Sequence, residues 1–421
     1  MPQSKTTRHV PLRQQTRGVS GLSGGRLADQ HANSEAKHVE ILPGSKPAAM
    51  RWLCDGHEIF PSMLEAIAAS QKSIRLETYI YTDGKVGRKF LEALTAAASR
   101  GVQVQVLVDA IGSWLLPEDF FSPLIAKGAE VRRFNPIHPL RFGVRDHRKL
   151  LICDGTVTFI GGFNMADEYD GDGVTSGWCD LGLQIKNREL AAKLGGSFAE
   201  LFALSRFQHK SWLQFRAFRR RRKIKKGSTR ELLLAQPGRG ASPFQIALYR
   251  DLRQARSVRI TSPYFLPTHR LRRELMRVAR HGGKVQLILA GKSDVLLSML
   301  AAQGLYRRFL NGNIEIYEYQ PQILHAKLII VDDVVYLGSA NLDTRSLHIN
   351  YELMIRFENK KIADEAREVF SKNLKHCHRV TAEEWRKSRT FWRKLKQRWA
   401  YFLLNHVDPF LARRQWRGLP K

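Results

Sequence analysis

Two short clusters in this chain carry residue types that could do chemistry together. The first reads His147-Arg-Lys149-Leu-Leu-Ile-Cys-Asp154 and is followed by Gly161-Gly-Phe-Asn164. The second reads His325-Ala-Lys327-Leu-Ile-Ile-Val-Asp332 and is followed by Gly338-Ser-Ala-Asn341. Both are H-x-K-x4-D and then a Gly-rich turn that ends in Asn. The apolar residues after each Lys predict strands, on which i and i+2 share a face, so His and Lys project together. The Asp has the opposite parity and falls where the strand runs into a turn. The glycines let a backbone approach a ligand, and the Asn amide can donate to it. A neutral imidazole beside an ammonium suits attack on a phosphodiester, because the cation offsets charge on the equatorial oxygens. One His cannot serve in the same step as nucleophile and as the acid that protonates the leaving alkoxide. Two copies facing each other across a pseudo-twofold axis can divide those roles. A lone H-x-K at a strand end is commonplace; it is the pair, with one spacing, that carries weight.

The elements around the clusters repeat as well. Pro61–Ala69 has helical spacing, Ser73–Tyr81 reads as a strand, Val86–Ser99 as an amphipathic helix and Val102–Val108 as a half-buried strand. Strand, helix and strand recur at Ser257–Thr261, His269–Arg280 and Lys284–Leu289, offset by about 178 to 184 residues. This order predicts βαβ units, a largely parallel sheet and two similar α/β lobes. We expect a disordered basic segment over 1–45, a first lobe over 46–204 and a basic aromatic link over 205–230. A second lobe is expected over 231–380, and a basic amphipathic tail over 381–421.

Composition narrows the partners. The 421 residues are 43% hydrophobic and 26% charged, as in a folded chain, and the net charge is +30. No apolar stretch approaches the ~18–20 residues of a membrane span, and the polar, basic N-terminus is not that of a secretory signal. Four cysteines share no CxxC spacing, which argues against a disulfide framework or a zinc site and fits a reducing compartment. There is neither a phosphate-binding G-x4-G-K-[ST] loop nor an aspartate-rich metal motif. His376-Cys-His378 lacks further ligands and reads as a solvated helix end. A charge this basic calls for a polyanion, nucleic acid or an anionic membrane. Residues 201–230 hold eleven Lys or Arg and no acid, and 385–421 hold eleven against Asp408 alone. Large aromatics interleave with these cations, among them Phe207, Trp212, Trp392 and Trp399. That pattern favours the head-group interface of a bilayer, although Trp/Phe stripes at helical spacing can also be core, and basic aromatic mixtures can stack single-stranded nucleic acid.

The paired motifs resemble the phospholipase D superfamily. Leu76-Glu-Thr-Tyr-Ile-Tyr81, Ser262-Pro-Tyr-Phe265, Gly291-Lys-Ser-Asp294 and Leu342-Asp343 are similar to its bacterial cardiolipin synthase branch, of the shorter type without N-terminal transmembrane helices. The likeness runs from about residue 47 to about 405, with a second turn one residue shorter than the usual pattern. It implies an α/β fold of two α/β/α sandwich lobes forming a pseudo-twofold pair with the active site between them. It further implies transfer of a phosphatidyl group from one phosphatidylglycerol to another through a phosphatidyl-histidine, with release of glycerol. His147 would be the nucleophile and His325 the acid and base. Lys149, Lys327, Asn164 and Asn341 would hold phosphoryl oxygens, and Asp154 and Asp332 would anchor the motifs. Asp180 and Glu352 could each orient an imidazole, or be strand-end acids. No metal or other cofactor and no nucleic acid partner is expected. The chain would sit peripherally on the cytoplasmic face of the inner membrane, through 205–230 and 385–421. A hydrolytic phospholipase D would use the same residues; a nuclease of the superfamily is the alternative of another class.

Overall fold

The computed structural model describes residues 38–40, 49–136, 143–205, 230–238, 240–388 and 390–407. The expected link over 205–230, apart from its two end residues, and most of the expected disordered segment over 1–45 lie outside these residues, as does the tail beyond 407. A short strand, β1 (His38–Glu40), falls within the segment read as disordered and pairs antiparallel with Glu231–Leu233 of the second lobe.

In the first lobe, helix α1 (Gly56–Ala69) begins before Pro61, because the Asp55 carboxylate caps it by accepting from the Glu58 amide at 2.9 Å. Helix α2 (Lys85–Ser99) starts beneath Asp167, whose carboxylate accepts from the amides of Lys85 and Val86. Seven strands form the sheet: β2 (Ala49–Leu53), β3 (Ser73–Thr78), β4 (Gln103–Asp109), β5 (Glu130–Phe134), β6 (Leu150–Cys153), β7 (Val157–Gly161) and β8 (Gly182–Lys186). Helix α3 (Arg188–Leu204) follows β8. The strand order is β2-β8-β7-β6-β3-β4-β5.

The second lobe repeats it. Strands β9 (Arg230–Ala235), β10 (Ser257–Ser262), β11 (Lys284–Ala290), β12 (Glu315–Tyr319), β13 (Leu328–Val331), β14 (Val334–Gly338) and β15 (Glu352–Glu358) lie in the order β9-β15-β14-β13-β10-β11-β12. Strand β1 extends one edge and β16 (Cys377–Val380) the other. The longer helices are α4 (Pro243–Leu252), α5 (His269–Arg280), α6 (Leu296–Gln303), α7 (Lys360–Leu374) and α8 (Phe391–Phe402).

The largely parallel sheet expected from the βαβ order is corrected. Only β3-β4-β5 and β10-β11-β12 are parallel; the other pairings are antiparallel. The strand after each His-Lys pair returns through a tight hairpin, and a hairpin can only join antiparallel strands. The sequence difference between the two motifs is absorbed there. Three residues turn between Cys153 and Val157 and two between Val331 and Val334, so Leu150 opposes Ile160 as Leu328 opposes Leu337.

Each sheet has helices on both faces. Helices α1 and α2 cover the outer face of the first sheet, α4 and α5 that of the second. The inner faces share one continuous core with α3 and α7, in which Leu150, Ile152 and Phe198 of the first lobe join Leu328, Ile330 and Phe370 of the second. The Trp52 indole crosses between lobes to donate to Glu365 at 3.0 Å. Burial of this common core, at about 25 cal/mol per Å² of apolar surface, fixes the two sheets against each other and with them the two motifs.

Candidate active site

His147 and Lys149 precede β6, and His325 and Lys327 precede β13, in extended chain that crosses to the other lobe. Asp146 forms a parallel bridge with Tyr351, and Leu324 forms one with Cys179. The amide of His147 donates to the Tyr351 carbonyl at 3.0 Å, and that of His325 to the Cys179 carbonyl at 2.7 Å. Each bridge therefore places a histidine beside the carboxylate that follows in the opposite strand. His147 Nδ1 stands 3.0 and 3.1 Å from the two oxygens of Glu352. His325 Nδ1 stands 2.6 Å from Asp180 Oδ2. The orienting alternative for Asp180 and Glu352 is the one the geometry supports, and it runs crosswise between lobes.

With Nδ1–H given to the acid, Nε2 of each ring keeps its lone pair toward the site. Burial lowers both imidazoles: His325 to about 4 and His147 well below its ordinary value, with the lysines adding to the effect. Lys149 is pushed down to about 7 by burial and by Lys327, and Lys327 to about 8 by burial. Each histidine feels both ammonium groups, so the four side chains gather in one interior. Lys149 Nζ donates to the His147 carbonyl at 2.8 Å, and Lys327 Nζ lies 2.9 and 3.1 Å from the ring nitrogens of His325. Burial and the paired ammoniums favour neutral imidazoles, and a phosphodiester would bring negative charge against the two cations.

The two halves are not equal. Glu352 accepts from Ser339 Oγ as well, and Ser346 also bonds to it; burial nonetheless raises its carboxyl to about 8. Gly162 is the counterpart of Ser339, and a Cβ there would lie 2.1 Å from Asp180 Oδ1, so glycine leaves room for that carboxylate. Tyr169, five residues after Asn164 as Ser346 is after Asn341, instead sends its hydroxyl to 3.4 Å from His325 Nε2. His325 is surrounded by the rings of Tyr169, Trp178 and Tyr264, whereas His147 meets Tyr79, at 5.0 Å. The sequence reading missed Tyr169, Ser339, Ser346 and these rings. The Gly162/Ser339 difference was the visible trace of the inequality.

The asparagines differ too. Asn164 accepts from the Ile80 amide at 3.1 Å and donates to Tyr169 Oη at 2.6 Å. Asn341 Oδ1 is buried with no hydrogen-bond partner among the described residues. Asp154 and Asp332, grouped by sequence with the catalytic residues, stand at the far ends of β6 and β13. Both have positive φ, 52° and 49°. Asp154 accepts from the amides of Gln71, Lys72 and Ser73, and Asp332 from those of Arg256 and Ser257. These bonds tie each hairpin to the neighbouring strand, away from the histidines.

His376-Cys-His378 is corrected from helix end to the start of an edge strand, since β16 pairs with β12; among the described residues no group of acids, histidines and cysteines could hold a metal. The aromatic stripe of the tail divides. Trp385 is buried, while Phe391, Trp392, Trp399 and Phe402 on α8 are exposed. Among the described residues no helix is long and apolar enough to cross a membrane.

Comparison with known proteins agrees with this geometry. The family described as "Cardiolipin synthase, PLD-like domain" matches residues 63–202 and 248–374, one stretch in each lobe. Cardiolipin synthase 1 of Bacillus cereus is 31% identical over 87% of this chain and 74% of its own length. Cardiolipin synthase B of Escherichia coli is 30% identical over 85% of this chain and 88% of its own. In fold, the chain superimposes on the phosphatidylserine synthase of Haemophilus influenzae with a TM-score of 0.69 at 15% identity, covering 86% of this chain and 94% of that one. Two duplicated H-x-K-x4-D motifs, one sheet order used twice and this run of similarity lead to one conclusion: the chain belongs to the cardiolipin synthase family of phospholipase D-like proteins.

Proposed function

We propose that the chain is a phosphatidyltransferase that makes cardiolipin from two phosphatidylglycerol molecules. The observation that carries the reading is the pair of buried histidines, each held at Nδ1 by a carboxylate of the other lobe and each beside a lysine. His147 Nε2 attacks phosphorus, the bond to the head-group glycerol oxygen breaks, and His325 gives that oxygen its proton. Glycerol leaves and a phosphatidyl group remains on His147 through a P–N bond. The hydroxyl of a second phosphatidylglycerol then loses its proton to His325 as its oxygen attacks phosphorus and the P–N bond breaks. One phosphodiester replaces another, so no nucleotide is consumed.

His325 must carry a proton in the first step, although burial and Lys327 lower its pKa. The bound phosphodiester offsets part of the field of Lys149 and Lys327 and so raises the pKa when it is needed. The two ammoniums and the amide of Asn341 hold the phosphoryl oxygens; Asn164, already engaged at both ends, holds Tyr169 instead. Asp154 and Asp332 anchor the motifs. The two lobes make a complete site within one chain, a monomeric pseudo-dimer. The work is done at the surface of an anionic bilayer on its cytoplasmic side, to which the cations of α8 and of the segment over 205–230 are attracted.

The test is purified protein with phosphatidylglycerol vesicles, without nucleotide or added metal, then with chelator, beside His147→Ala. Cardiolipin and glycerol in equal amounts from the wild type alone are the expected result. Phosphatidic acid in place of cardiolipin would make water the acceptor and overturn the transferase reading.

A further inference from the structure

Two short runs of exposed large apolar side chains lie outside α8. Trp114 and Leu115 are 65% and 72% exposed, and Val295, Leu296 and Leu297 are 40%, 60% and 37% exposed. The two groups occupy equivalent places. Strands β4 and β11 are parallel neighbours of β3 and β10, with Gln103 opposite Ser73 and Lys284 opposite Ser257. Counting on from those pairs, Ser113 corresponds to Asp294, and Trp114-Leu115 to Val295-Leu296.

Each apolar tip begins one residue after a tie to a tyrosine whose ring lies beside a catalytic histidine. Ser113 Oγ donates to the Tyr79 carbonyl at 3.2 Å, and the Tyr79 ring lies 5.0 Å from that of His147. Asp294 accepts from the Tyr264 hydroxyl at 2.7 Å, and Tyr264 lies 6.5 Å from His325. The duplication that pairs the histidines pairs the tips as well, one tied to the tyrosine beside each histidine. The second tip leads into α6, on which α8 packs. Helix α8 carries the exposed aromatics, with Arg393, Lys394, Lys396 and Arg398, and no acid occurs from Phe391 to Leu404.

We infer that Trp114-Leu115 and Val295–Leu297 are two lipid-inserting tips that straddle the active-site mouth and, with α8, seat it on an anionic bilayer. The inference rests on the phosphatidyl-transfer reading for its substrate. The occupant is a bilayer because the exposed apolar side chains of the tips and of α8, together with the α8 cations Arg393, Lys394, Lys396 and Arg398, match acyl chains beneath anionic head groups. A substrate seated this way reaches the histidines while its acyl chains stay in the membrane.

The experiment uses the full chain with Trp114→Ser/Leu115→Ser, with Val295→Ser/Leu296→Ser, and with Ile125→Ser as a control for an exposed apolar residue elsewhere. Flotation is measured with phosphatidylglycerol-containing vesicles and with phosphatidylcholine alone. Turnover is measured on vesicles and on short-chain phosphatidylglycerol kept below its micellar concentration. Each tip variant is expected to lose about tenfold in vesicle binding and vesicle turnover and to keep monomer turnover within about twofold. Ile125→Ser changes neither. Equal loss on vesicles and monomers would make the tips supports of the site and overturn the inference, as would unchanged flotation. If the wild type turned over neither lipid, the transfer reading would fall, and flotation of the variants alone would decide whether the tips insert.

Discussion

Asp180, in the first lobe, holds the imidazole of His325, in the second, through a 2.6 Å contact between Oδ2 and Nδ1. Glu352 returns the arrangement to His147. Each half of the chemistry thus depends on a residue supplied from the other side of the interface, and the shared core beneath it holds the two in register.

If that orientation matters, Asp180→Asn will impair a histidine 145 residues away in sequence. An amide that donates to Nδ1 would leave the proton on Nε2, the wrong tautomer for a base. Turnover is expected to fall by about 10²-fold or more for Asp180→Asn and for Glu352→Gln, with melting temperatures near wild type.

The division of labour can be read with an activated substrate. His147→Ala and His325→Ala should each cost at least about 10³-fold on phosphatidylglycerol. A p-nitrophenyl ester of phosphatidic acid has a leaving group that needs no acid, so His325→Ala should still release one burst of nitrophenol and His147→Ala none. Bursts from both would refute the assignment of the nucleophile.

Tyr169 is expected to tune His325 and leave binding alone. Asn164 donates to its hydroxyl, which leaves that hydroxyl's proton for His325 Nε2. Tyr169→Phe should lower kcat about tenfold with KM within about twofold, and shift the limb of the pH profile that reports His325. A change in KM alone would count against this role.

Burial of His325 makes stability depend on pH. Its pKa is about 4 folded against 6.5 as the ordinary value. Above 6.5 the ring is neutral in both states and the full stability is present; below it the unfolded chain takes up the proton first, and stability falls as pH drops toward 4. Wild type should lose up to about 3 kcal/mol more than His325→Asn over that window. Thermal unfolding of the two proteins from neutral to acid pH measures the difference.

Asp154 separates structure from chemistry. Its carboxylate serves three backbone amides at a positive-φ corner. Asp154→Ala should cost about 1–3 kcal/mol of stability and leave kcat of the folded fraction within about threefold. Denaturant midpoints and turnover below the transition give both quantities.

Much of this was legible in the chain because it is local or repeated. The His-x-Lys spacing, the βαβ order and the 178- to 184-residue offset each need only a few neighbouring residues. The sheet was misjudged because the hairpins that follow the motifs reverse direction within two or three residues, inside runs that read simply as apolar. The pairing of Asp180 with His325 could not be read, since it is set by bridges between lobes and not by spacing. Tyr169 was hidden for the same reason, and Trp114-Leu115 because two exposed apolar residues in a loop carry no period.

A lone copy of this lobe would always have a histidine whose acid lies in another copy. Two identical copies meeting about a twofold axis would meet that need twice, but one gene would bind both halves to stay alike. Within a single chain the constraint is gone, and the halves have parted: Gly162 beside Asp180 with Tyr169 on one side, Ser339 and Ser346 around Glu352 on the other. A nucleophile and a proton carrier want different surroundings. Carrying both halves in one chain lets each histidine have its own.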